Sequence, residues 1–268
     1  MLISSDSQVY DGLACIKVPD VRKAVEEVKS LLYENTSVEG QDEVGGGAII
    51  ADDAKIGDST FIGRHVVIDS GVIIGSGCVI GDGVKIYAGT HIGDRVHVKA
   101  NTVIGGDGFG YYFDQGYHKI KHVGSIIIED DVHIGSNCCI DRGTINDTII
   151  KKGAKLDNLI HIAHNVLIEE GVAIAAQSGI SGSSVIGAYA QLGGQVGVVG
   201  HIKIAPGSKI QAQSGVASSI TELQEKWYGY PAMKYWDYLR SFSLFRKLPS
   251  IEKRLKNLEE RIKSNSNS

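Results

Sequence analysis

The chain has 268 residues, 43% of them hydrophobic, which is enough to bury a large core. Its net charge of −4 argues against a nucleic-acid-binding protein, and no apolar run reaches the ~18 residues of a transmembrane helix. The first residues lack a basic segment followed by an apolar one. We therefore expect a cytoplasmic protein without a signal peptide.

Residues 1–46 differ in pattern from everything that follows. Positions 13–18 read as a strand, and Pro19 and Asp20 are suited to begin a helix that continues to Leu32. One strand and one helix are too little for an independent core. The segment is therefore predicted to be part of a small α/β unit.

Residues 47–220 carry an aliphatic residue at nearly every sixth position. The first uninterrupted run comprises Ile50, Ile56, Ile62, Ile68, Ile74, Ile80, Ile86, Ile92, Val98 and Ile104. Neither the 3.6-residue period of a helix nor the alternation of a simple strand produces this spacing. The repeat predicts a mainly β fold, a parallel β-helix of hexapeptide repeats with short strands joined by tight turns.

Two segments interrupt the repeat. Residues 108–124 are aromatic and loop-like, and residues 141–149 contain a slip of four positions. A regular prism needs neither segment, so both are predicted to be loops that project from it and form walls of a site.

Residues 221–268 are predicted to form a helical extension, with helices near 233–246 and 250–264. Ile251, Leu255 and Leu258 lie on one stripe of the second helix, which suits either a short coiled coil or packing on the prism. The extension holds ten basic and six acidic residues, so it is positive while the rest of the chain is negative. Such a segment suits an acidic partner or a solvated helix face.

Polar residues concentrate at 157–165, inside the repeat. If three hexads form one coil, positions 18 apart stack, so Gly182 lies one coil beyond His164 and His201 just over two coils beyond it. Two histidines separated by a glycine surface could flank a substrate groove, and a histidine oriented by a carboxylate suits general-base catalysis. Asp157 is the nearest preceding carboxylate in sequence. Unspecialised surface histidines are the alternative.

The spacing of His161 and His164 is also compatible with a metal site, but no third ligand is evident, so we predict none. The other histidines have no comparable context and are expected at the surface. They are His65, His91, His97, His118, His122 and His133.

Six motifs carry a more specific resemblance than the repeat itself. They occupy residues 104–111, 140–143, 147–150, 157–158, 162–166 and 194–201. Together they resemble the UDP-3-O-(3-hydroxyacyl)glucosamine N-acyltransferases of lipid A biosynthesis, over roughly residues 48–232. The resemblance implies a left-handed β-helix and a homotrimer with active sites between neighbouring prisms.

The resemblance also implies an activity. Family members move a 3-hydroxyacyl chain from acyl carrier protein to the 2-amino group of a UDP-sugar lipid precursor, UDP-3-O-acylglucosamine. The chain arrives on the carrier's phosphopantetheine arm, and no other cofactor is expected. An acetyl-CoA-dependent sugar acetyltransferase and a non-catalytic or metal-binding β-helix protein are the alternatives.

The same resemblance assigns roles to individual residues. His164 matches the catalytic base, Asp157 its orienting carboxylate, His201 the second active-site histidine and Gly182 the oxyanion-stabilising backbone N–H. Six further positions are expected to contact substrate. They are Asn158, His161, Asn165, Asp107, Phe109 and Tyr111.

The basic extension is the expected docking surface for the acidic carrier protein, through Arg240, Arg246 and Lys247. Residues 1–46 depart from the family, whose members carry a full uridine-binding α/β domain before the prism. This chain has about the last strand and helix of that domain, without the aromatic residue expected to stack on uracil. A truncated start and a variant with different nucleotide recognition both explain the difference.

Overall fold

A computed structural model describes residues 2–4, 15–32, 44–230 and 232–266 of the chain. Near the N-terminus, β1 (Leu2–Ser4) pairs in parallel with β2 (Cys15–Lys17), and α1 spans Val21–Leu32. The Asp20 carboxylate accepts a hydrogen bond from the Lys23 N–H (3.1 Å), which satisfies one free donor of the first helical turn. The predicted strand and helix are confirmed, although positions 13 and 14 lie outside the described residues.

The repeat region forms short parallel strands, most of them two residues long. The first ten are β3 (Ile49–Ile50), β4 (Lys55–Ile56), β5 (Phe61–Ile62), β6 (Val67–Ile68), β7 (Ile73–Ile74), β8 (Val79–Ile80), β9 (Lys85–Ile86), β10 (Thr90–Ile92), β11 (His97–Val98) and β12 (Val103–Gly106). A hairpin of β13 (Tyr111–Phe113) and β14 (Tyr117–Lys119) follows.

After the hairpin the prism continues to residue 227. Its strands are β15 (Ile126–Ile128), β16 (His133–Ile134), β17 (Cys139–Asp141), β18 (Thr148–Ile150), β19 (Lys155–Leu156), β20 (His161–Ile162), β21 (Leu167–Ile168), β22 (Ala173–Ile174), β23 (Gly179–Ile180), β24 (Val185–Ile186), β25 (Gln191–Leu192), β26 (Gly197–Val198), β27 (Lys203–Ile204), β28 (Lys209–Ile210), β29 (Gly215–Val216) and β30 (Lys226–Trp227).

These strands build three parallel sheets, one on each side of the prism. Sheet I has eight strands from β4 to β27, sheet II has nine from β5 to β30, and sheet III has nine from β3 to β29. The predicted parallel β-helix is confirmed. The pairing of β30 with β28 carries the prism beyond the predicted boundary at residue 220.

The sixth-position aliphatic residues point into the prism and form its core. Ile62, Ile104 and Ile162 are fully buried, and small or β-branched residues such as Val66 and Cys78 fill the corners between them. Alternation along such short strands leaves one side chain inward and its neighbour outward, which fits a narrow interior.

The corners are stabilised by side chains from the following coil. The Asp82 carboxylate accepts a hydrogen bond from the Arg64 N–H, and Asp94 does the same for Ser76 (both 2.8 Å). At another corner the Gln195 side chain donates to Gln177, and Gln213 donates to Gln195, so a ladder of amides runs along the prism. Each coil therefore satisfies polar groups of its neighbour.

Both interruptions leave the prism at the same corner, where sheet III passes into sheet I. The first runs from β12 to β15 and contains the hairpin, and the second joins β17 to β18. Gly105 begins the first with φ +91, a left-handed conformation that favours glycine. The predicted projecting loops are thus present.

The C-terminal extension contains α2 (Tyr235–Phe245) and α3 (Leu248–Ser266). In α3, Ile251, Leu255 and Leu258 are 40%, 55% and 52% exposed, so the apolar stripe does not pack on the chain's own prism. None of the described helices is both long and apolar enough to cross a membrane.

Candidate functional site

Three predicted site residues lie in one column at the corner between sheets III and I. The Ser183 N–H donates to the His164 carbonyl, and the His201 N–H donates to the Gly182 carbonyl (both 3.0 Å). Successive coils therefore place His164, Gly182 and His201 above one another, as their spacing predicted. The His201 side chain is exposed, whereas His164 is half-buried.

Asn165 determines the tautomer of His164. Its side-chain N–H donates to the Asn146 carbonyl (2.6 Å), and its Oδ1 accepts from the N–H of Thr144 (3.1 Å). The His164 Nδ1 lies 3.0 Å from the same Oδ1 and must therefore carry the proton. The lone pair is left on Nε2, which is the arrangement that a general base needs.

Gly182 lies against the edge of the His164 ring. A Cβ atom at Gly182 would stand 2.6 Å from the His164 Cε1 and 2.7 Å from its Nε2, so only glycine leaves room for this ring. The stacked position in the next coil is Gly200, which has no side-chain oxygen to cap the Gly182 N–H. At the corners of Arg64 and Ser76 an aspartate occupies that place. The Gly182 N–H is therefore placed to serve as an oxyanion donor beside a base.

The carboxylate of Asp141 lies next to this column, on the coil before the one that carries His164. Its Oδ2 is 3.6 Å from the His161 Nε2, and its side chain is 13% exposed. Burial raises the pKa of Asp141, against the opposing influence of His161, His164 and His122. Asp141 follows Ile140, which pairs with Ile162, so it stacks beside the segment that leads to His164.

His122 completes the cluster from the first interruption. It is 3% exposed, its ring centroid is 5.4 Å from that of His164, and its Nδ1 donates to the Ile120 carbonyl (3.0 Å). Its Nε2 is buried without a hydrogen-bond partner. The expectation that His122 is a surface residue is wrong, because the backbone at Gly108 and Gly110, just before the hairpin, packs against its ring.

Within one chain, the predicted residues Asp157 and Asn158 lie away from the column of His164, Gly182 and His201. Asp157 is an exposed residue at the end of β19 in sheet II, where its carboxylate accepts from the Asn158 N–H (2.8 Å). The Asn158 side chain caps the Ser136 N–H (2.8 Å), which is a structural role. Among the described residues, His164 has no hydrogen bond or ring contact with either. The role predicted for Asp157 stays a prediction.

The remaining predicted contacts belong to the hairpin. Asp107 accepts a hydrogen bond from Lys119 (2.5 Å), which lowers the pKa of its carboxyl and ties together the two ends of the hairpin. Phe109 is 84% exposed and Tyr111 44% exposed, with their ring centroids 5.1 Å apart. Phe109 therefore has most of its surface free, whereas Tyr111 is partly covered.

An apolar groove of about 400 Å³ runs along the outside of sheet III from His161. Its floor is the stacked series His161, Gly179, Gly197 and Gly215. A Cβ atom at any of the three glycines would meet nothing within 4 Å, so packing inside the chain does not require glycine there. The missing side chains instead make room for something outside the chain.

Within the described parts of the chain, no group of three or more histidine, cysteine or acidic side chains is arranged to hold a metal ion. The cluster of Asp141 with its three histidines is suited to proton and charge chemistry.

Sequence reasoning missed Asp141 and His122. Asp141 lies within a motif that was recognised, but the four-residue slip puts it 23 positions before His164, so a search at multiples of 18 passes over it. Its position next to the Ile140–Ile162 pair of β17 and β20 is visible only once the strands are aligned.

The comparisons with known proteins agree with this architecture. Residues 71–106 match the family "Bacterial transferase hexapeptide (six repeats)", and residues 125–146 match "Hexapeptide repeat of succinyl-transferase". A solved UDP-N-acetylglucosamine acyltransferase aligns over 77% of this chain and 83% of its own, with a TM-score of 0.64 and 23% identity. The enzyme of that name from Campylobacter jejuni aligns over 66% and 69%, with a TM-score of 0.59 and 22% identity. The fold and its repeats thus define a hexapeptide-repeat protein with a left-handed parallel β-helix.

Within that class, the resemblance inferred from the motifs is confirmed. The chain is similar to the UDP-3-O-acylglucosamine N-acyltransferase of Geobacter sp. (strain M21), with 57% identity over 162 residues, 60% of this chain and 47% of the relative. It is 53% identical over 161 residues to the enzyme of the same name from Cytophaga hutchinsonii, 59% of this chain and 46% of the relative. The chain therefore spans about half the length of the curated relatives it matches.

We predict that Asn165→Ala lowers the stability of the second interruption, residues 141–149. The substitution removes the hydrogen bonds from Asn165 to Thr144 and Asn146, so the free energy of unfolding should fall by about 1–3 kcal/mol. Hydrogen exchange at the Thr144 amide should become faster. Asn101→Ala is the matched control, because Asn101 has φ 61 and Asn165 has φ 60, so both variants carry the same backbone strain. Equal losses in the two variants would contradict the role given to Asn165.

Proposed function

We propose that this chain carries the acyl-transfer site of an N-acyltransferase. It moves a 3-hydroxyacyl chain from acyl carrier protein to the 2-amino group of UDP-3-O-acylglucosamine. The main support is the placement of the His164 Nε2 lone pair beside the uncapped Gly182 N–H. Relatives over 50% identical carry the corresponding enzyme name. A base and an oxyanion donor are the two groups that attack of an amine on a thioester requires.

The reaction uses these groups in two steps. The amine nitrogen bonds to the thioester carbonyl carbon, its proton passes to the His164 Nε2, and the carbonyl oxygen becomes an oxyanion held by the Gly182 N–H. The intermediate then collapses, the carbon–sulfur bond breaks, and the proton on His164 passes to the departing thiolate. His201, two coils further along, is suited to position the donor or its thiol.

The groove on sheet III suits the acyl chain. It begins at His161, is lined almost entirely by apolar surface, and has glycines where side chains would block it. A hydrocarbon chain gains about 0.8 kcal/mol for each CH₂ group that it buries. The aromatic residues Phe109 and Tyr111 stand beside the same corner and suit contact with the nucleotide-sugar acceptor.

A transfer assay tests this proposal. The purified protein is offered 3-hydroxyacyl thioesters of acyl carrier protein and, separately, acetyl-CoA, with UDP-3-O-acylglucosamine as acceptor. Product with the carrier thioesters alone supports the proposal. Product with acetyl-CoA alone would assign the chain to the sugar acetyltransferases, and no product with either donor would refute acyl transfer.

We predict that His164→Ala lowers the rate of transfer by about 10² to 10⁴, because the attacking amine loses its base. His201→Ala should cost less, since a positioning group is removed. His91→Ala, at an exposed histidine on sheet I, is the control and should leave the rate unchanged. Initial rates and circular dichroism on all three variants make the comparison. Wild-type turnover by folded His164→Ala would exclude His164 as the base.

The proposed assembly is a homotrimer. Ile49 and Val199 on sheet III are 66% and 43% exposed, and the apolar stripe of α3 is also uncovered in the single chain. Burial of such surface between copies is favourable by about 25 cal/mol for each Å². Sites at the junctions would then combine sheet III of one copy with a face of the next.

We predict that light scattering reports a mass of three 28.7 kDa chains at micromolar concentration. Leu255→Glu combined with Leu258→Glu should weaken the trimer, because it places charge on the α3 stripe. Asn257→Glu adds charge to the same helix away from that stripe and should have little effect. A wild-type monomer would contradict the proposed assembly.

The proposed docking surface for acyl carrier protein is the basic part of the C-terminal extension. Arg240 lies in α2, while Arg246 and Lys247 lie between α2 and α3, and all three are exposed. Attraction between opposite charges raises the association rate of a complex and weakens as salt is added.

We predict that reversing Arg246 and Lys247 to Glu raises the KM for acyl carrier protein several-fold with little change in kcat, and that the effect shrinks as salt increases. Reversing Arg22 and Lys23 in α1 changes the net charge equally and is the matched control. Steady-state kinetics at two ionic strengths compare them. Equal effects from both reversals would indicate a general charge effect without a specific docking surface.

A further inference from the structure

Gly108 lies where the first interruption crosses the corner, and a Cβ atom there would stand 3.2 Å from each of three atoms. These are the Asp141 Oδ2, the His122 Nε2 and the His164 Cβ. The Asp141 carboxylate, the His122 ring and the backbone end of the His164 side chain therefore converge on one glycine.

The groups that face Asp141 come from three elements. His161 belongs to β20 and His164 to the corner that follows it, while His122 and Asp107 belong to the two ends of the first interruption. Asp107 is a like charge, but it is paired with Lys119. Arg142, the neighbour of Asp141, instead donates to the carbonyls of Gly105 and Ala88. Histidine rings are therefore the groups available to balance the Asp141 charge.

We propose that Asp141, and not Asp157, is the positioning carboxylate that stabilises the imidazolium formed when His164 takes the proton of the attacking amine. The effect of Asp141 on His164 is electrostatic and involves no direct hydrogen bond, because the His164 Nδ1 already donates its hydrogen bond to the Asn165 Oδ1. This inference rests on the proposed function, because it assigns a charge partner to the same base.

Two features strengthen the effect of this carboxylate. His122 is 3% exposed and the Asp141 side chain 13% exposed, and a charge in a poorly hydrated place acts more strongly on its neighbours. Burial also raises the pKa of Asp141 because it disfavours the charged carboxylate, and a nearby cation would oppose that effect. Protonation of His164 supplies that cation at the moment of reaction.

Histidine NMR titration of the intact protein tests the inference without requiring activity. A nearby carboxylate favours the charged ring, so Asp141→Asn should move the titration midpoint of His164 to lower pH. Asp157→Asn is the matched control and should leave it in place. Asp141→Glu keeps the charge and should retain most of the wild-type midpoint, which covers the case in which the amide variant folds poorly.

Kinetics provide a second readout. Asp141→Asn should lower kcat about tenfold, the lower end of what a nearby opposite charge contributes, and move the acid limb of the pH–rate profile to lower pH. An unchanged His164 midpoint in folded Asp141→Asn would overturn the inference, as would a larger shift in Asp157→Asn. If the wild-type protein transfers no acyl group, the proposed function fails, while the titration still decides the role of Asp141.

Discussion

Every feature of the site depends on the register of the parallel backbone ladder. Each coil hydrogen-bonds to the next with equivalent positions aligned, so a residue's height along the prism and its side of the triangle follow from its place in the repeat. The alignment survives the interruptions, since His91 pairs with Ile127 across a separation twice that of an ordinary coil. A rigid ladder of this kind can hold a base and an oxyanion donor on separate coils at a constant distance.

The corner that carries His164 and Gly182 differs from other corners because a capping side chain is absent there. At several corners an aspartate or asparagine satisfies the backbone of the coil before it, as Asp82 does for Arg64. The column of His164, Gly182 and Gly200 omits that cap, and the same loss of side chains lets the imidazole lie on the backbone. The prism therefore gives up a stabilising hydrogen bond at the place where the proposed reaction would put the carbonyl oxygen of the thioester.

The β-helix and the stacking of His164, Gly182 and His201 could be predicted because the repeat is strictly periodic. Asp141 could not, since the slip before β18 hides its alignment with the segment that leads to His164. His122 could not either, because its burial depends on how the first interruption brings Gly108 and Gly110 against its ring, which a local pattern does not encode. Asn158 shows the opposite case: it lies in a recognised motif, but its amide is used to cap Ser136.

Both interruptions emerge from one corner while the ladder on either side stays in register. A coil can thus accept extra residues at its corner without disturbing the strands that stack above and below it. The loops that project from the corner can therefore vary independently of the strands that form the prism. Descendants of such a chain could exchange the hairpin for a longer, shorter or differently charged one, and so acquire new acceptors, while the buried ladder and its reactive column are inherited unchanged.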